Sequence, residues 1–486
     1  MPMKVLFVAS EAHPLAKTGG LGDVAGSLPL ALRAQGVDAR LILPAYPSAK
    51  AGLLGLAEIA RIGVHGSVGT TRILEGRLPD SDMPVYLVDA PHYFNRPGGP
   101  YSHPQGYDWP DNAQRFGLFA RVAVEVAQDR IGQDWRADVV HANDWQTGLV
   151  PALLSLEASR PATVFTVHNL AYMGLFGWEA FQTLGLPDDF WSVDHLEFWA
   201  TMSFLKGGLV YSDWLTTVSP TYAWEIRTPA FGYGLEGLLN HRADRLVGIL
   251  NGVDYAVWDP AVDTLLPARY SADDLSGKAE CKRALQRHFN LAENPDVPLL
   301  GSVGRMVEQK GGDLIAEVLP QLLHHDFQAV ILGSGEPGLQ DTLRQLAVQY
   351  PSRIAVQIGY DERLAHLIEA GSDMFLMPSR FEPCGLNQIY SLRYGTLPIV
   401  HRTGGLADTV VDASRARIND GTANGFQFSP ATSTALHASI ERALAMYAQP
   451  EVWRETLMRR AMSADFSWEH SAEQYIDLYR QALGNL

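Results

Sequence analysis

The chain has 486 residues, of which 47% are hydrophobic and 19% charged, and a formal net charge of −16. That length exceeds what one core usually supports, so two domains are expected, and the ordinary apolar balance excludes a disordered chain. The acidic charge argues against a polyanion partner, because phosphate backbones are bound by basic faces, and so no nucleic acid is expected.

The chain opens on a short apolar run, Val5-Leu6-Phe7-Val8, followed by Glu11 and His13. It is too short for a secretion signal, and no apolar stretch of about 18 residues follows, so nothing is expected to span or meet a membrane. Short apolar runs at residues 5–9, 39–43, 85–88, 139–141, 162–167 and 214–218 have the β-branched content of strands buried on both faces of a parallel sheet. Helical patterns lie between them. Residues 114–128 put Phe116, Phe119, Ala120, Ala123, Val124 and Ala127 on one face. A second series follows at 299–303, 329–332, 354–358, 374–377 and 397–400. Residues 251–272, rich in Asp, Pro and Gly, read as the connection between the two series. A helical tail at 467–482 carries Trp468, Tyr475, Leu478 and Tyr479. The expected class is α/β, with two doubly wound domains. The two cysteines, Cys281 and Cys384, make no disulfide framework and no metal knuckle, which suits a reducing cytoplasm.

Two motifs echo one another. Lys17-Thr18-Gly19-Gly20-Leu21-Gly22-Asp23 follows the first strand, and Arg402-Thr403-Gly404-Gly405-Leu406-Ala407-Asp408 follows a strand of the second series. Each offers a cation, a Thr, two glycines and a helix start, which together suit a phosphate. Ordinary strand-to-helix turns are the plainer reading of either copy alone. Arg305 and Lys310 flank the loop after residues 299–303, ahead of Gly311-Gly312, where a planar fork and a compact charge suit a pyrophosphate leaving group. Glu382, in Ser379-Arg380-Phe381-Glu382-Pro383-Cys384-Gly385-Leu386, can bond sugar hydroxyls or stabilise an oxocarbenium-like transition state, or can simply cap a helix. His168-Asn169 ends the run 162–167, and a His there can donate to a sugar or satisfy a backbone carbonyl. Asp144 is a further polar group at a strand end, and Trp145 beside it can stack on a sugar or fill the core. Gly333-Ser334-Gly335-Glu336-Pro337-Gly338 matches the dinucleotide pattern but does not open its domain, so it reads as another glycine loop. Asp80-Ser81-Asp82 resembles a metal-binding DxD motif, yet its Pro-flanked position before 85–88 reads as a surface hairpin. No metal and no cofactor are expected, since no His, Cys and acidic cluster has ligand spacing.

Taken together, Lys17–Val24, His141-Ala142-Asn143-Asp144-Trp145-Gln146, Thr166-Val167-His168-Asn169, Tyr233-Gly234-Leu235-Glu236-Gly237, Asn251-Gly252-Val253-Asp254, Arg305 with Lys310, the Glu382 loop and the Arg402 motif resemble the bacterial glycogen synthase and plant starch synthase family of retaining glucosyltransferases. The resemblance covers essentially the whole chain. It implies the GT-B architecture, two Rossmann-like domains facing across a deep cleft: residues 1–248 on the acceptor side, 249–460 on the donor side, and a C-terminal helix within 461–486 crossing back to the first. The implied reaction moves glucose from ADP-glucose, a substrate, to the non-reducing end of an α-1,4-glucan with retention, releasing ADP without a metal. The same chemistry with UDP-glucose, or a non-catalytic glucan-binding protein, is the alternative. By resemblance, Glu382, His168, Arg305 and Lys310 are catalytic. Lys17, Gly19, Gly20, Asp144, Asn169, Gly335, Tyr360, Cys384, Gly385, Leu386, Thr403, Gly404 and Gly405 meet the donor. Tyr101, Trp109 and Asn112 lie in an aromatic, Gly-rich and Pro-rich segment suited to the glucan acceptor. Many retaining GT-B enzymes carry a second Glu eight residues after the first; that position is Tyr390 here, so a two-glutamate mechanism is not expected.

Overall fold

The apolar runs form parallel strands because both of their faces are covered, and Val, Ile and Leu pack well on a pleated surface. The computed structural model describes residues 2–64, 69–79 and 81–484. The chain divides into two compact units, Met1–Gly252 with Trp468–Leu486, and Val253–Ser467.

The first unit contains β1 (Lys4–Val8), β2 (Asp38–Pro44), β3 (Leu54–Ile62), β4 (Thr71–Arg77), β5 (Pro84–Asp89), β6 (Val139–Asn143), β7 (Ala162–Val167), β8 (Leu175–Phe176), β9 (Glu197–Phe198), β10 (Thr201–Ser203), β11 (Trp214–Thr217) and β12 (Leu246–Gly248). Strands β8 to β10 make a small antiparallel sheet, and the others join in the order β12-β11-β7-β6-β1-β2-β5-β4-β3. Val5 of β1 pairs in parallel with Ala39 on one side and Val139 on the other. Strands β3 and β4 run antiparallel at the edge, and β3 is largely exposed, so it carries no buried apolar run to betray it in the sequence. Ser81 and Asp82 lie in the turn between β4 and β5, while Asp80 lies outside the described residues. Helix Asn112–Ala127 buries the Phe116 and Phe119 ridge. Helix Trp468–Gly484 packs into this unit beside helix Gly20–Ala34. Its Tyr479 hydroxyl lies 2.7 Å from His141 Nδ1, and Ser471 Oγ donates to Leu250 O at 2.7 Å.

The second unit contains β13 (Leu299–Met306), β14 (Gln328–Gly335), β15 (Ile354–Ile358), β16 (Met374–Met377), β17 (Leu397–His401) and β18 (Phe426–Phe428), all parallel, in the order β15-β14-β13-β16-β17-β18. Residues 251–272 are not a linker: from Val253 onward they form part of this unit. Tyr270 donates to Tyr394 O at 2.7 Å, and Asp263 accepts from the Tyr394 hydroxyl at 2.6 Å. The Asp content that suggested a connection serves local turns. Asp254, Asp259 and Asp263 each accept the backbone N–H two residues on, at 2.9, 2.9 and 2.8 Å. The units meet in sequence at Gly252/Val253 and Ser467/Trp468, so residues 461–467 belong to the second unit rather than to the helix that follows.

Candidate active site

Ligands of open α/β sheets bind beyond the carboxyl ends of the strands, where the chain order reverses. In the second unit that point is β13, with β14 on one side and β16 on the other. Arg305 is the penultimate residue of β13 and Lys310 lies in the turn just past it, while the chain leaving β16 carries Ser379 and Glu382. Lys310 Nζ lies 2.5 Å from Glu382 Oε2, which also accepts from Ser379 Oγ at 3.0 Å. The Glu382 side chain is only 8% exposed, and a polar group so buried is costly without such hydrogen-bond partners. Arg305 donates to Gln309 Oε1 at 3.2 Å, and Gln309 donates to Phe381 O at 2.9 Å, which ties the second cation to the same loop. Arg380 grips Asp313 at 2.8 and 2.6 Å and anchors the loop to helix Gly312–Val318.

The glycines of Thr403-Gly404-Gly405 are demanded by close approach. A β-carbon on Gly404 would lie 1.9 Å from Glu382 O, and one on Gly405 2.1 Å from Cys384 O. The Gly405 N–H donates to Glu382 O at 3.1 Å, so this turn braces the acidic loop directly. Thr403 and Cys384 are buried, Leu386 is half-buried, and Gly385 turns the chain at φ +72°. Gly335 ends β14 against Met306 O, 2.2 Å from where a β-carbon would sit. Tyr360, just past β15, is 77% exposed.

In the first unit the reversal falls at β1, between β2 and β6. Glu11, buried just past β1, accepts from Thr18 Oγ1 at 2.8 Å, from the Tyr101 hydroxyl at 2.8 Å, from Gly19 N at 3.2 Å and from Thr18 N. One carboxylate thus holds Thr18 and Gly19 at the centre of the Lys17-Thr18-Gly19-Gly20 turn. Lys17, half exposed, pairs with Asp23 at 2.6 Å. A β-carbon on Gly19 or Gly20 would meet nothing within 4 Å, and Gly19 has an extended φ of −155°, so neither packing nor backbone explains these two glycines. The echo between the motifs is therefore one of sequence with different local causes.

Asp144 follows β6 at φ +56° and ψ 179°, a region costly for any residue but glycine. Its carboxylate accepts the His168 N–H at 2.7 Å and the Asn169 N–H. Burial pushes its pKa up to about 7, against the pull of those two N–H groups. Asn143 donates to Val8 O and His141 O at 3.1 and 3.2 Å, which fixes its amide and leaves Oδ1 facing His168 Nε2 at 3.0 Å. Nε2 must therefore carry the proton. Burial holds the His168 pKa down at about 3, so the ring is neutral and its Nδ1 is an acceptor. Asn169 Oδ1 accepts from Ala171 N at 3.0 Å. Trp145 sits among Tyr101, Phe116, Phe176 and Phe204 as packing. Tyr101 reaches the site through Glu11 and Ser10. Asn112 is spent on Tyr101 O at 3.0 Å and Arg115 at 2.6 Å, and Trp109 lies under Arg96 at 4.8 Å, so these two build the loop behind Tyr101.

The starch synthase catalytic domain family matches residues 4–241, and the glycosyl transferases group 1 family matches residues 285–459. The chain is 56% identical over 482 residues to a glycogen synthase of Thioalkalivibrio sulfidiphilus, covering 98% of this chain and 99% of that one. It is 54% identical over 485 residues to glycogen synthase 1 of Methylococcus capsulatus, covering 100% and 97%. The chain belongs to the glycogen and starch synthase family. Among solved structures, the catalytic domain of starch synthase IV from Arabidopsis thaliana, bound to ADP and acarbose, matches with a TM-score of 0.90 at 34% identity, covering 100% of both chains. A sucrose-phosphate synthase from Thermosynechococcus elongatus, at 18% identity and a TM-score of 0.61 with 100% of both chains covered, shares the fold alone. As in other members of the glycogen and starch synthase family, the fold is GT-B and the protein is a glycosyltransferase that transfers glucose. Among the described residues no helix is long and apolar enough to cross a membrane.

Motif reading alone does not single out Glu11 and Asn143 at the strand ends of the first unit, or Ser379 at those of the second. Glu11 carried a usable signal, an acidic residue directly past the first buried strand and seven residues before Thr18. Asn143 and Ser379 carried none, since each acts by orienting a neighbour that only the fold supplies.

Proposed function

We propose that the protein transfers glucose from ADP-glucose to the non-reducing end of an α-1,4-glucan with retention of configuration, in the cytoplasm and without a metal or cofactor. The observation that carries this reading is the Lys310–Glu382 contact beside Arg305, two cations and one buried carboxylate at the switch point of a GT-B unit. Relatives named glycogen synthase along their full length, and the ADP in the starch synthase IV structure, support the donor and the acceptor.

Arg305 and Lys310 neutralise the departing diphosphate, each well-placed donor contributing several kcal/mol at the transition state. Among the described residues both hydrogen bonds to Glu382 fall on Oε2, which leaves Oε1 to accept from a glucose hydroxyl. The C1–O bond to phosphate breaks, a C1–O4 bond to the glucan forms on the same face, and the acceptor proton passes to the departing phosphate oxygen. His168 and Asp144 attend the transferred glucose, the neutral imidazole accepting through Nδ1. Gly19 and Gly20, which no packing requires, let the backbone approach the donor. Gly335, Tyr360, Cys384, Gly385, Leu386 and the Thr403 turn form the nucleotide side.

Nucleotide release from ADP-glucose and UDP-glucose, each with and without glycogen, tests the reading in the presence of a chelator. The expected result is primer-dependent release of ADP with growth of the polymer. Preference for UDP-glucose would overturn the donor, and release from neither would leave a glucan-binding protein.

A further inference from the structure

Three imidazoles converge on one carboxylate oxygen at the strand-entry end of the second unit. Glu441 Oε1 lies 2.7 Å from His325 Nε2, 3.1 Å from His324 Nε2 and 3.6 Å from His437 Nε2. His324 and His325 stand just before β14, while His437 and Glu441 are one turn apart on helix Ser433–Tyr447 and so share a face. The ligand atoms of His324, His325 and Glu441 all lie within 4.8 Å of one another.

The tautomer of His324 gives the cluster its direction. His324 Nδ1 lies 2.9 Å from Gln321 O, and a carbonyl only accepts, so Nδ1 carries the proton. The neutral ring then presents the bare lone pair of Nε2 to a carboxylate oxygen, an unfavourable pairing unless a cation is shared between them. A divalent ion held between His324 Nε2 and the carboxylate relieves that pairing and takes in the neighbouring His325 as well. An imidazole that donates its other N–H to a backbone carbonyl is also the usual posture of a metal-ligating histidine. In a tetrahedral zinc site, bonds of about 2.0–2.1 Å set neighbouring donor atoms about 3.3 Å apart. The separations of 3.1 and 2.7 Å from Glu441 Oε1 to His324 and His325 approach that spacing.

We propose that His324, His325 and Glu441 bind one first-row divalent cation of the zinc class, with His437 beside them. Imidazole ligands favour zinc, nickel or copper over magnesium or calcium, and the role assigned to the ion is structural. The position agrees: β14 runs from Gln328, beside this cluster, to Gly335 at the donor end, about 25 Å of extended chain. The ion pins helix Ser433–Tyr447 to the segment that feeds β14, and glucose transfer does not depend on it.

Intact chain stripped with a chelator is titrated with Zn2+ by calorimetry and with Co2+ by visible absorption, alongside thermal unfolding. The expected result is one ion per chain, a tetrahedral Co2+ spectrum, and an unfolding constant lowered about 100-fold when free Zn2+ stands at 100 times its Kd. Glu441→Gln and His324→Ala remove all three effects. His470→Ala, at a histidine 69% exposed on helix Trp468–Gly484, leaves them in place. Because His324 is exposed and Glu441 only half-buried, the metal-free variants unfold near the wild-type temperature. The proposal is overturned if no single equivalent binds, if binding survives both substitutions, or if His470→Ala abolishes it equally. Loss of glucose transfer on stripping would overturn the structural assignment of the ion.

Discussion

Replacing Gly405 with Ala tests whether the Thr403-Gly404-Gly405 turn sets the position of Glu382. The added β-carbon would lie 2.1 Å from Cys384 O and 2.6 Å from Cys384 C. Both are backbone atoms, so no side chain can swing aside. Contacts of a β-carbon below 3.0 Å are essentially never found, so the two segments must part by about 1 Å. The segment that yields carries Glu382, whose carbonyl accepts the Gly405 N–H. A displacement of 1 Å near reacting groups costs on the order of 100-fold in rate, and overpacking costs about 1–3 kcal/mol of stability. Initial rates of ADP release at saturating donor and primer should therefore show kcat lowered about 100-fold, with a Tm lower by several degrees. Gly19→Ala is the matched control, since its β-carbon meets nothing. Its Tm should be unchanged while the KM for the donor rises about tenfold, equivalent to ~1.4 kcal/mol. A wild-type kcat for Gly405→Ala would refute the reasoning.

Glu382→Gln should lower kcat by about 100- to 1,000-fold with little change in Tm, and Lys310→Ala should cost a further ~1–3 kcal/mol in stability because it leaves a buried carboxylate without its cation; kinetics and chemical denaturation separate the two. Asp144 is raised from 3.8 to about 7, so the folded state holds this proton more tightly than the unfolded one. Its contribution is complete below pH 3.8 and is lost as pH rises through 7, by at most ~4 kcal/mol. Asp144→Asn should remove that slope and be the more stable chain at pH 8, and parallel stability-versus-pH curves for the two would count against the buried carboxyl. Tyr390 stacks on Trp258 at 3.9 Å and 5°, with His366 on the other face of Trp258 at 3.7 Å; Tyr390→Ala should lower the stability of the second unit by about 3–5 kcal/mol, and an unchanged denaturation midpoint would show the stack to be incidental.

Features with a local cause were legible in the sequence. The buried strands announced themselves because β1, β6, β7 and β16 are buried on both faces and rich in apolar residues, and the order of the motifs placed Arg305, Lys310 and Glu382 at or just past strand ends. Features set by distant partners were not. Strand β3 alternates no buried run, and residues 251–272 have the composition of a linker because their Asp side chains close turns inside the second unit. His168 gave a strand-end histidine but not its tautomer, which Asn143 dictates from β6. The proposed cation site was equally hidden: Glu441 lies on a helix, and nothing near it in sequence points to His324 and His325.

The hydrogen bond between His141 and Tyr479 spans 338 positions, and it makes the order of synthesis matter. Residues 1–252 leave the ribosome first, yet the helix that closes their unit is made only after all of Val253–Ser467. At about 5–20 residues per second that interval lasts roughly 10–45 s. Throughout it, the surface around His141 that Tyr475 and Tyr479 later cover faces water, and the nascent chain offers an apolar seat to any chaperone able to hold it. The same topology inverts the expected effect of trimming. A protease cutting near residue 467 strikes beside the second unit but unseats the first, so damage at one end of the chain is felt most by the half made earliest.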